Sequence, residues 1–299
     1  MRKAIVTLSD KNYFEMTVEL INSIRRFEKS KDISICILDA GLLEEQKTIL
    51  QKKAKVQKAN WDIEIPFYKK KHEWLKSQIS RAFLPNYFPE YEKYLWIDAD
   101  AWVNSWDCID NYFSACNNNK LGITQSIGPG YKVLANVKWL FKKFAIINSQ
   151  NYKHAVNSGV KEDDARKLAF SPHLNIGVFS LEKNSSIWNI WQQNLKKVLL
   201  KGRIFGSEGL AINLSVYIDK VETEFLPLSH NWIASNLLPI YDNKENIFRE
   251  PYIPNNKIGI IHLAGGIKVG GKDMRTDKGI LIDIKDTEGK IIKKSLRYI

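Results

Sequence analysis

The chain has 299 residues, 44% of them hydrophobic and 26% charged. This profile excludes a disordered tail, a collagen or a coiled rod and leaves one large domain or two small ones. Its 45 Lys and Arg against 33 Asp and Glu give a net charge of +12, which favours a polyanionic partner, an anionic membrane surface or a phosphorylated substrate.

Lys3 to Leu8 is a short β-branched run that ends in Ser9 and Asp10, the pattern of a buried strand entering a polar loop. A run of about six apolar residues is too short for a signal-peptide core. From Glu15 to Phe27 the apolar residues Met16, Leu20, Ile24 and Phe27 recur at three and four positions, predicting a helix that packs on a sheet. Ile33 to Leu38 reads as a second strand, Leu42 to Lys55 as a second helix, and Ile63 to Phe67 as a third strand closed by Pro66. This alternation is the signature of a parallel sheet covered on both faces, an α/β fold. Such sheets bind ligands beyond the carboxyl ends of their strands, so the loop Ser9 to Tyr13 is a candidate binding edge.

A helical stretch is expected from Trp74 to Leu84, followed by the apolar run Tyr94 to Ile97 that leads into Asp98-Ala99-Asp100. Leu121 to Thr124 and Ile176 to Leu181 read as further strands. The insertion between them, Ser126 to Pro172, is rich in Lys and aromatics and reads as mostly helical. Helices follow at Ile187 to Leu200 and Glu208 to Tyr217, then apolar Phe225 to Leu228. Ile258 to His262 is a strand that ends in a histidine and opens into the Gly-rich segment Gly265 to Gly271. Ile280 to Tyr298 alternates around Asp286 to Gly289 and predicts a hairpin. With no repeat or linker in view, one domain over 1–299 is expected. No stretch approaches the roughly 20 apolar residues that span a bilayer, and Cys36, Cys108 and Cys116 lack the spacing of a disulfide framework or zinc ribbon. A reduced cytosolic setting is the simplest expectation.

An Asp-x-Asp pattern alone is a weak signal, and two solvated turn residues explain it equally well. At a strand end, alternation points Asp98 and Asp100 to the same side, where two close like charges call for a cation between them. A hard divalent ion with phosphate oxygens completing its shell satisfies that demand. His262 ends another predicted strand, and neighbouring strand ends in a parallel sheet converge on one crevice, so its imidazole is a candidate third ligand. A mixed oxygen and nitrogen set suits Mn²⁺ better than Ca²⁺; otherwise a strand-end histidine is simply hydrogen-bonded. Gly265 and Lys268 have the spacing of a close backbone approach and an ammonium that reaches phosphates.

Six segments carry a family pattern in order: IVTLSDKNY (Ile5 to Tyr13), ILDAG (Ile37 to Gly41), SRAFLPNYFPEYEKYLWIDADAWV (Ser80 to Val103), LNIGVFSL (Leu174 to Leu181), EGLAIN (Glu208 to Asn213) and HLAGGIK (His262 to Lys268). From its first strand to about Lys268 the chain resembles the metal-dependent retaining enzymes of glycosyltransferase family eight, which include lipooligosaccharide galactosyltransferases and glycogenin. The resemblance implies the GT-A fold, a Rossmann-like and mostly parallel sheet. Its nucleotide-binding half would be 1–125, an acceptor-side insertion 126–172, the remainder of the site 173–270 and a C-terminal hairpin 271–299. It implies transfer of a hexose from UDP-glucose or UDP-galactose to a glycan or glycolipid, with retention and with Mn²⁺ or Mg²⁺. Leu8, Asp10, Asn12 and Tyr13 would line the uridine pocket, the Tyr ring stacking on the base. Asp98, Asp100 and His262 would hold the metal, Arg81 would contact the donor, Asn175 would face the sugar, and Gly265 with Lys268 would close over the diphosphate.

Two positions depart from that pattern. Where relatives carry Asp-Gln-Asp, this chain has Glu208-Gly209-Leu210, so no nucleophilic side chain stands at Gly209. Front-face transfer fits better than double displacement, with Glu208 positioning sugar or acceptor. Val269-Gly270-Gly271 replaces the Pro-Trp that relatives place after the lysine.

The basic excess has two readings. Lys132, Lys138, Lys142, Lys143 and Lys153, interleaved with Tyr131, Trp139, Phe141 and Phe144, are either a solvated helix face or a peripheral contact with anionic lipid at the inner face of a membrane. Lys290, Lys293, Lys294 and Arg297 pose the same choice. Two other function classes compete: a sugar-nucleotide nucleotidyltransferase and a basic nucleic-acid-binding protein. The first lacks its Gly-rich, Arg-containing loop between Thr7 and Tyr13, and the second lacks any recognisable motif, so no nucleic-acid partner is expected.

Overall fold

The computed structural model describes residues 1–131, 135–142 and 144–299. The first half alternates β1 (Lys3–Ser9), α1 (Phe14–Arg25), β2 (Ser34–Asp39), α2 (Glu44–Gln51) and β3 (Lys55–Lys58), with the three strands parallel. The third strand thus lies before the expected Ile63 to Phe67, which forms no strand. Pro66 has no N–H for a ladder, and Ile63 and Ile65 are instead buried as loop anchors in the core. The real β3 is an edge strand that escapes an apolar pattern because little of it is buried.

The expected helix from Trp74 to Leu84 is a chain of short pieces: a 3₁₀ turn at Glu73–Lys76, α3 (Ser77–Ser80), a second turn at Arg81–Phe83, and α4 (Leu84–Tyr87). Next come β4 (Lys93–Ile97), β5 (Ala101–Val103), α5 (Asp107–Ala115) and β6 (Leu121–Gln125). The insertion is not mostly helical. It opens with an antiparallel hairpin, β7 (Ala135–Leu140) and β8 (Phe144–Ser149), before α6 (Gln150–Asn157) and α7 (Glu162–Phe170). Phe141 and Lys142 at the hairpin turn both have left-handed φ, 51° and 58°.

The chain then returns as β9 (Leu174–Glu182), followed by α8 (Ile187–Lys201), α9 (Ser207–Tyr217) and β10 (Thr223–Leu226). The central seven-stranded sheet has the order β10-β6-β9-β4-β1-β2-β3. Only β9 within it runs antiparallel to its neighbours, β4 and β6. Alternation splits the core into two faces. Val6, Leu38, Tyr94, Trp96 and Phe179 pack with Trp188 and Trp191 of α8 and Ile212 of α9. Ile5, Ile37, Leu95, Ile97 and Val178 pack with Leu20, Ile21 and Ile24 of α1 and Ile109 and Tyr112 of α5.

The last third builds a smaller unit: β11 (Trp232–Ile233), β12 (Ile240–Asp242), β13 (Ile247–Arg249), β14 (Ile260–His262), β15 (Lys268–Val269), β16 (Lys272–Asp273), β17 (Ile282–Lys285) and β18 (Ile291–Lys294). The expected C-terminal hairpin is β17 with β18. β14 is not a strand of the parallel sheet, as its sequence position suggested. It sits between β11 and β5 in a separate three-stranded sheet, antiparallel to β5.

The tail cations are taken up within the protein. Lys290 pairs with Glu288, Lys293 with Asp283, and Lys294 lies over the Tyr241 ring. Arg297, its side chain 2% exposed, holds both carboxylate oxygens of Glu19 on α1 at 2.9 and 2.6 Å. In the insertion, Lys132 and Lys143 lie outside the described residues, while Tyr131 packs edge-on against Trp232 and accepts a hydrogen bond from Ile233 N–H. Among the described residues no helix is long and apolar enough to cross a membrane.

Asn104 fastens the smaller unit to the sheet. Its buried amide donates to the carbonyls of Phe248 and Ile258 and accepts from Phe248 N–H. Asn104→Ala takes this partner from Phe248 N–H and Ile258 O, while Phe248 O keeps Ile258 N–H, a loss of about 2–4 kcal/mol. Urea unfolding is expected to show a lower midpoint at an unchanged slope.

Candidate functional site

A cleft of about 640 Å³ opens at the carboxyl ends of β1 and β4 and at the start of antiparallel β9. Leu8, Asp10, Asn12, Tyr13, Arg81, Asp98, Asp100, Asn175, Glu208, His262 and Gly265 all line it. Lys268 does not line it; it stands exposed on β15, in register with Asp273.

The acidic pair occupies a turn between two sheets. Asp98 follows β4 and its N–H bonds Gly177 O on β9, while Ala101 N–H closes the turn onto Asp98 O and starts β5. The pairing of β5 with β14 sets His262 opposite Ala101, and Leu263 N–H bonds Asp100 O. Register alone therefore delivers an imidazole that lies far away in sequence to the two acids. His262 Nε2 is 3.3 Å from Asp100 Oδ1 and 3.9 Å from Asp98 Oδ2, and one donor atom from each residue falls within 4.8 Å of the others.

Each ligand is held from behind. Trp96 Nε1 and Arg81 Nη2 both face Asp98 Oδ1, at 2.7 and 3.2 Å, which leaves Oδ2 toward the imidazole. Asn231 Nδ2 donates to Asn175, so Asn231 Oδ1 accepts from His262 Nδ1 at 2.8 Å. That bond puts the proton on Nδ1 and aims the Nε2 lone pair at two carboxylates. A lone pair facing anions is unfavourable unless a proton or a metal cation lies between them. Burial depresses His262, yet the Asp100 and Asp98 carboxylates outweigh it and raise its pKa. Burial pushes Asp98 upward, whereas attraction and hydrogen bonding from His262 overcome burial at Asp100 and leave it below the ordinary range.

These residues fit a divalent ion. Metal bonds of about 2.1 Å set neighbouring ligand atoms about 3 Å apart, and two carboxylate oxygens with one imidazole nitrogen suit a first-row divalent metal. Gly177 keeps the space open, since a Cβ there would lie 2.3 Å from His262 Cε1 and 2.9 Å from Asp98 Oδ2.

The remaining walls differ in character. On one side Asp10 Oδ1 accepts from the N–H groups of Asn12 and Tyr13, shaping the turn into α1. Tyr13 is pushed up to about 12 by burial and by the Asp100 charge, and stays a neutral phenol. Below lies Glu208, buried, with Oε1 3.9 Å from Arg81 Nη1 and Oε2 without a hydrogen-bond partner. Burial outweighs Arg81 and lifts its carboxyl from 4.5 to about 7. A Cβ at neighbouring Gly209 would meet only Ile176, at 3.9 Å. Sequence reasoning missed Trp74, Asn151, His154, His173, Arg203, Phe205 and Arg275, which also line the cleft, and Asn231 behind it. None sits in a motif, although His173 and Asn231 directly precede β9 and β11. His154 and His173 are both held down to about 4 by burial, so the wall beyond Glu208 carries neutral imidazoles.

A family model described as glycosyl transferase family 8 matches residues 4–268, and the chain belongs to that family. Among curated proteins no sequence matches it. Among solved structures, apo WbbM, a bifunctional glycosyltransferase, superposes with a TM-score of 0.56 at 17% identity over 92% of this chain, which spans only 48% of WbbM. The galactosyltransferase LgtC, in complex with donor and acceptor sugar analogues, superposes with a TM-score of 0.51 at 13% identity over 88% of this chain and 87% of its own. An active-site mutant of LgtC gives 0.53 at 15% identity over 89% and 88%. These likenesses show the fold, a mixed α/β architecture of the GT-A type.

Two outcomes follow from the site geometry. Gly177→Ala is expected to weaken divalent-ion binding by at least about 10-fold, read by titration calorimetry with Mn²⁺ at unchanged circular dichroism. Glu208 binds its proton more tightly folded than unfolded, so without metal it lowers stability as pH rises from 4.5 toward 7, by up to about 3 kcal/mol. Glu208→Gln should remove that decline, measured as the difference in urea stability between variant and parent from pH 4.5 to 8.

Proposed function

We propose that this family 8 glycosyltransferase moves a hexose from UDP-glucose or UDP-galactose to a glycan or glycolipid acceptor, with retention and with Mn²⁺ as its metal. The observation that carries this reading is the meeting of Asp98, Asp100 and His262 in one cleft with the Tyr13 loop. Acidic ligands for a cation lie beside a half-buried ring suited to stacking on a base. The net charge of +12 agrees with a doubly phosphorylated donor.

The metal, when bound, supplies charge stabilisation for the diphosphate as it leaves. The chain's own residues do the rest. Arg81, stacked on Trp96 at 4.7 Å and bonded to Asp98, fixes the carboxylate at the cleft wall where the donor would lie. Asn175, whose Oδ1 accepts from Gly177 N–H, sits where the sugar would lie. Glu208, substantially protonated near neutrality, offers a hydrogen bond to a sugar or acceptor hydroxyl through its unpartnered oxygen. Gly209 carries no side chain that could attack the anomeric carbon, and a Cβ there would meet only Ile176. The acceptor hydroxyl would then arrive on the face that the diphosphate leaves, and its proton would pass to a phosphate oxygen. The neutral wall of His154, His173 and Asn151 fits the hydroxyl-rich surface of an acceptor sugar.

A screen of UDP-sugars for Mn²⁺-dependent hydrolysis and transfer tests the reading. UDP is the expected product, and Asp100→Asn should lower kcat/KM by about 100-fold or more. Release of pyrophosphate would point to a nucleotidyltransferase, and absence of UDP binding with Mn²⁺ present would end the proposal.

A further inference from the structure

Lys268, the cation that the family pattern assigns to the diphosphate, stands exposed and off the cleft wall. Arg275, beyond the β15–β16 hairpin, lines the cleft instead. Its guanidinium is gripped on one edge by Asp273: Nε lies 3.2 Å from Oδ1 and Nη2 2.8 Å from Oδ2, while the backbone N–H of Arg275 also bonds Oδ1. Among the described residues the other terminal nitrogen, Nη1, has no hydrogen-bond partner. It lies 4.0 Å from Asp100 Oδ2, too far for a hydrogen bond and near enough to share an anion with a cation held there.

The placement is over-determined. The preceding residue, Met274, is fully buried and its N–H bonds Ile267 O. Arg275 O accepts from Arg297, which also clasps Glu19 on α1. Gly266, at φ +72°, leaves the room that the pair occupies, because a Cβ there would lie 2.4 Å from Asp273 Oδ2 and 2.9 Å from Arg275 Nη2. A flexible surface arginine has no such frame.

We infer that Arg275, aligned by Asp273, is this chain's own contact for the β-phosphate of the donor, taking the place of Lys268. The inference rests on the UDP-sugar reading above. A diphosphate running from the acid pair toward a base on Tyr13 passes the free Nη1 edge, and a fixed guanidinium fork suits phosphate oxygens better than a mobile ammonium does. Asp273 is a positioning residue in this scheme, since it touches only the arginine.

Calorimetry with Mn²⁺ on the full chain, using UDP and UMP as probes, tests this. In Arg275→Ala, UDP affinity should fall about 10–100-fold while UMP affinity changes less than about threefold. Arg275→Lys should recover part of the UDP affinity, and Asp273→Ala should show the same selective loss in smaller measure. Folding damage would lower both ligands together, so an equal loss of UDP and UMP overturns the inference. So does an unchanged UDP preference in Arg275→Ala, above all if Lys268→Ala abolishes it. If the unaltered chain binds neither nucleotide, the donor reading itself fails and the inference with it.

Discussion

Two carboxylates and the lone pair of an imidazole cannot share a few ångströms of buried space without a positive charge among them. The fold is arranged to force that condition. A tight turn carries Asp98 and Asp100 from one sheet to another, and the β5–β14 ladder brings His262 to face them. Asn231 and Asn175 fix the imidazole tautomer, and Trp96 with Arg81 pins one oxygen of Asp98. A proton between them would meet that condition, and so would a divalent cation held by the three residues.

From this centre the cleft divides by charge. Toward Tyr13 the wall holds a neutral phenol, a cationic edge and the acid pair, a gradient that fits a base followed by phosphates. Toward Asn151 the wall carries the neutral imidazoles of His154 and His173 beside the Arg203 cation. Glu208 lies between, poised near the middle of its titration. The overall basic excess does not gather on the tail, whose cations are matched by Glu288, Asp283, Glu19 and the Tyr241 ring.

Much of this was legible in the sequence because it rides on local signals. Apolar runs that end in polar residues marked β1, β2 and β4, and thereby the Ser9 to Tyr13 loop and the Asp98 turn at their ends. His262 was found for an incomplete reason. It does end a strand, but that strand meets the acids through an antiparallel pairing in a second sheet, which no single-strand pattern reveals. The strand at Ile63 to Phe67 was misread because buried loop anchors and buried strand residues share one composition, while edge strand β3 reads as polar. The hairpin in the insertion was hidden by aromatic and Lys content that suits a helix face equally well. Trp74, His154, Arg203 and Arg275 were invisible because tertiary folding alone gathers them. Lys268 shows the opposite hazard: a family motif locates a residue in order, but the hairpin that follows decides where its ammonium points.

The antiparallel strand β9 has a consequence for biogenesis. It wedges between β4 and β6, with Lys93 partnered by Glu182 across the whole insertion, so the central layer cannot close by pairing neighbours in chain order. Non-local pairings of this kind form late and slowly. Until β9 arrives, the newborn polypeptide presents two bare strand edges flanking a gap, a template for wrong partners. The interval before β9 is synthesised is thus when protection by a chaperone, or a slower rate of synthesis at low temperature, would do most for yield.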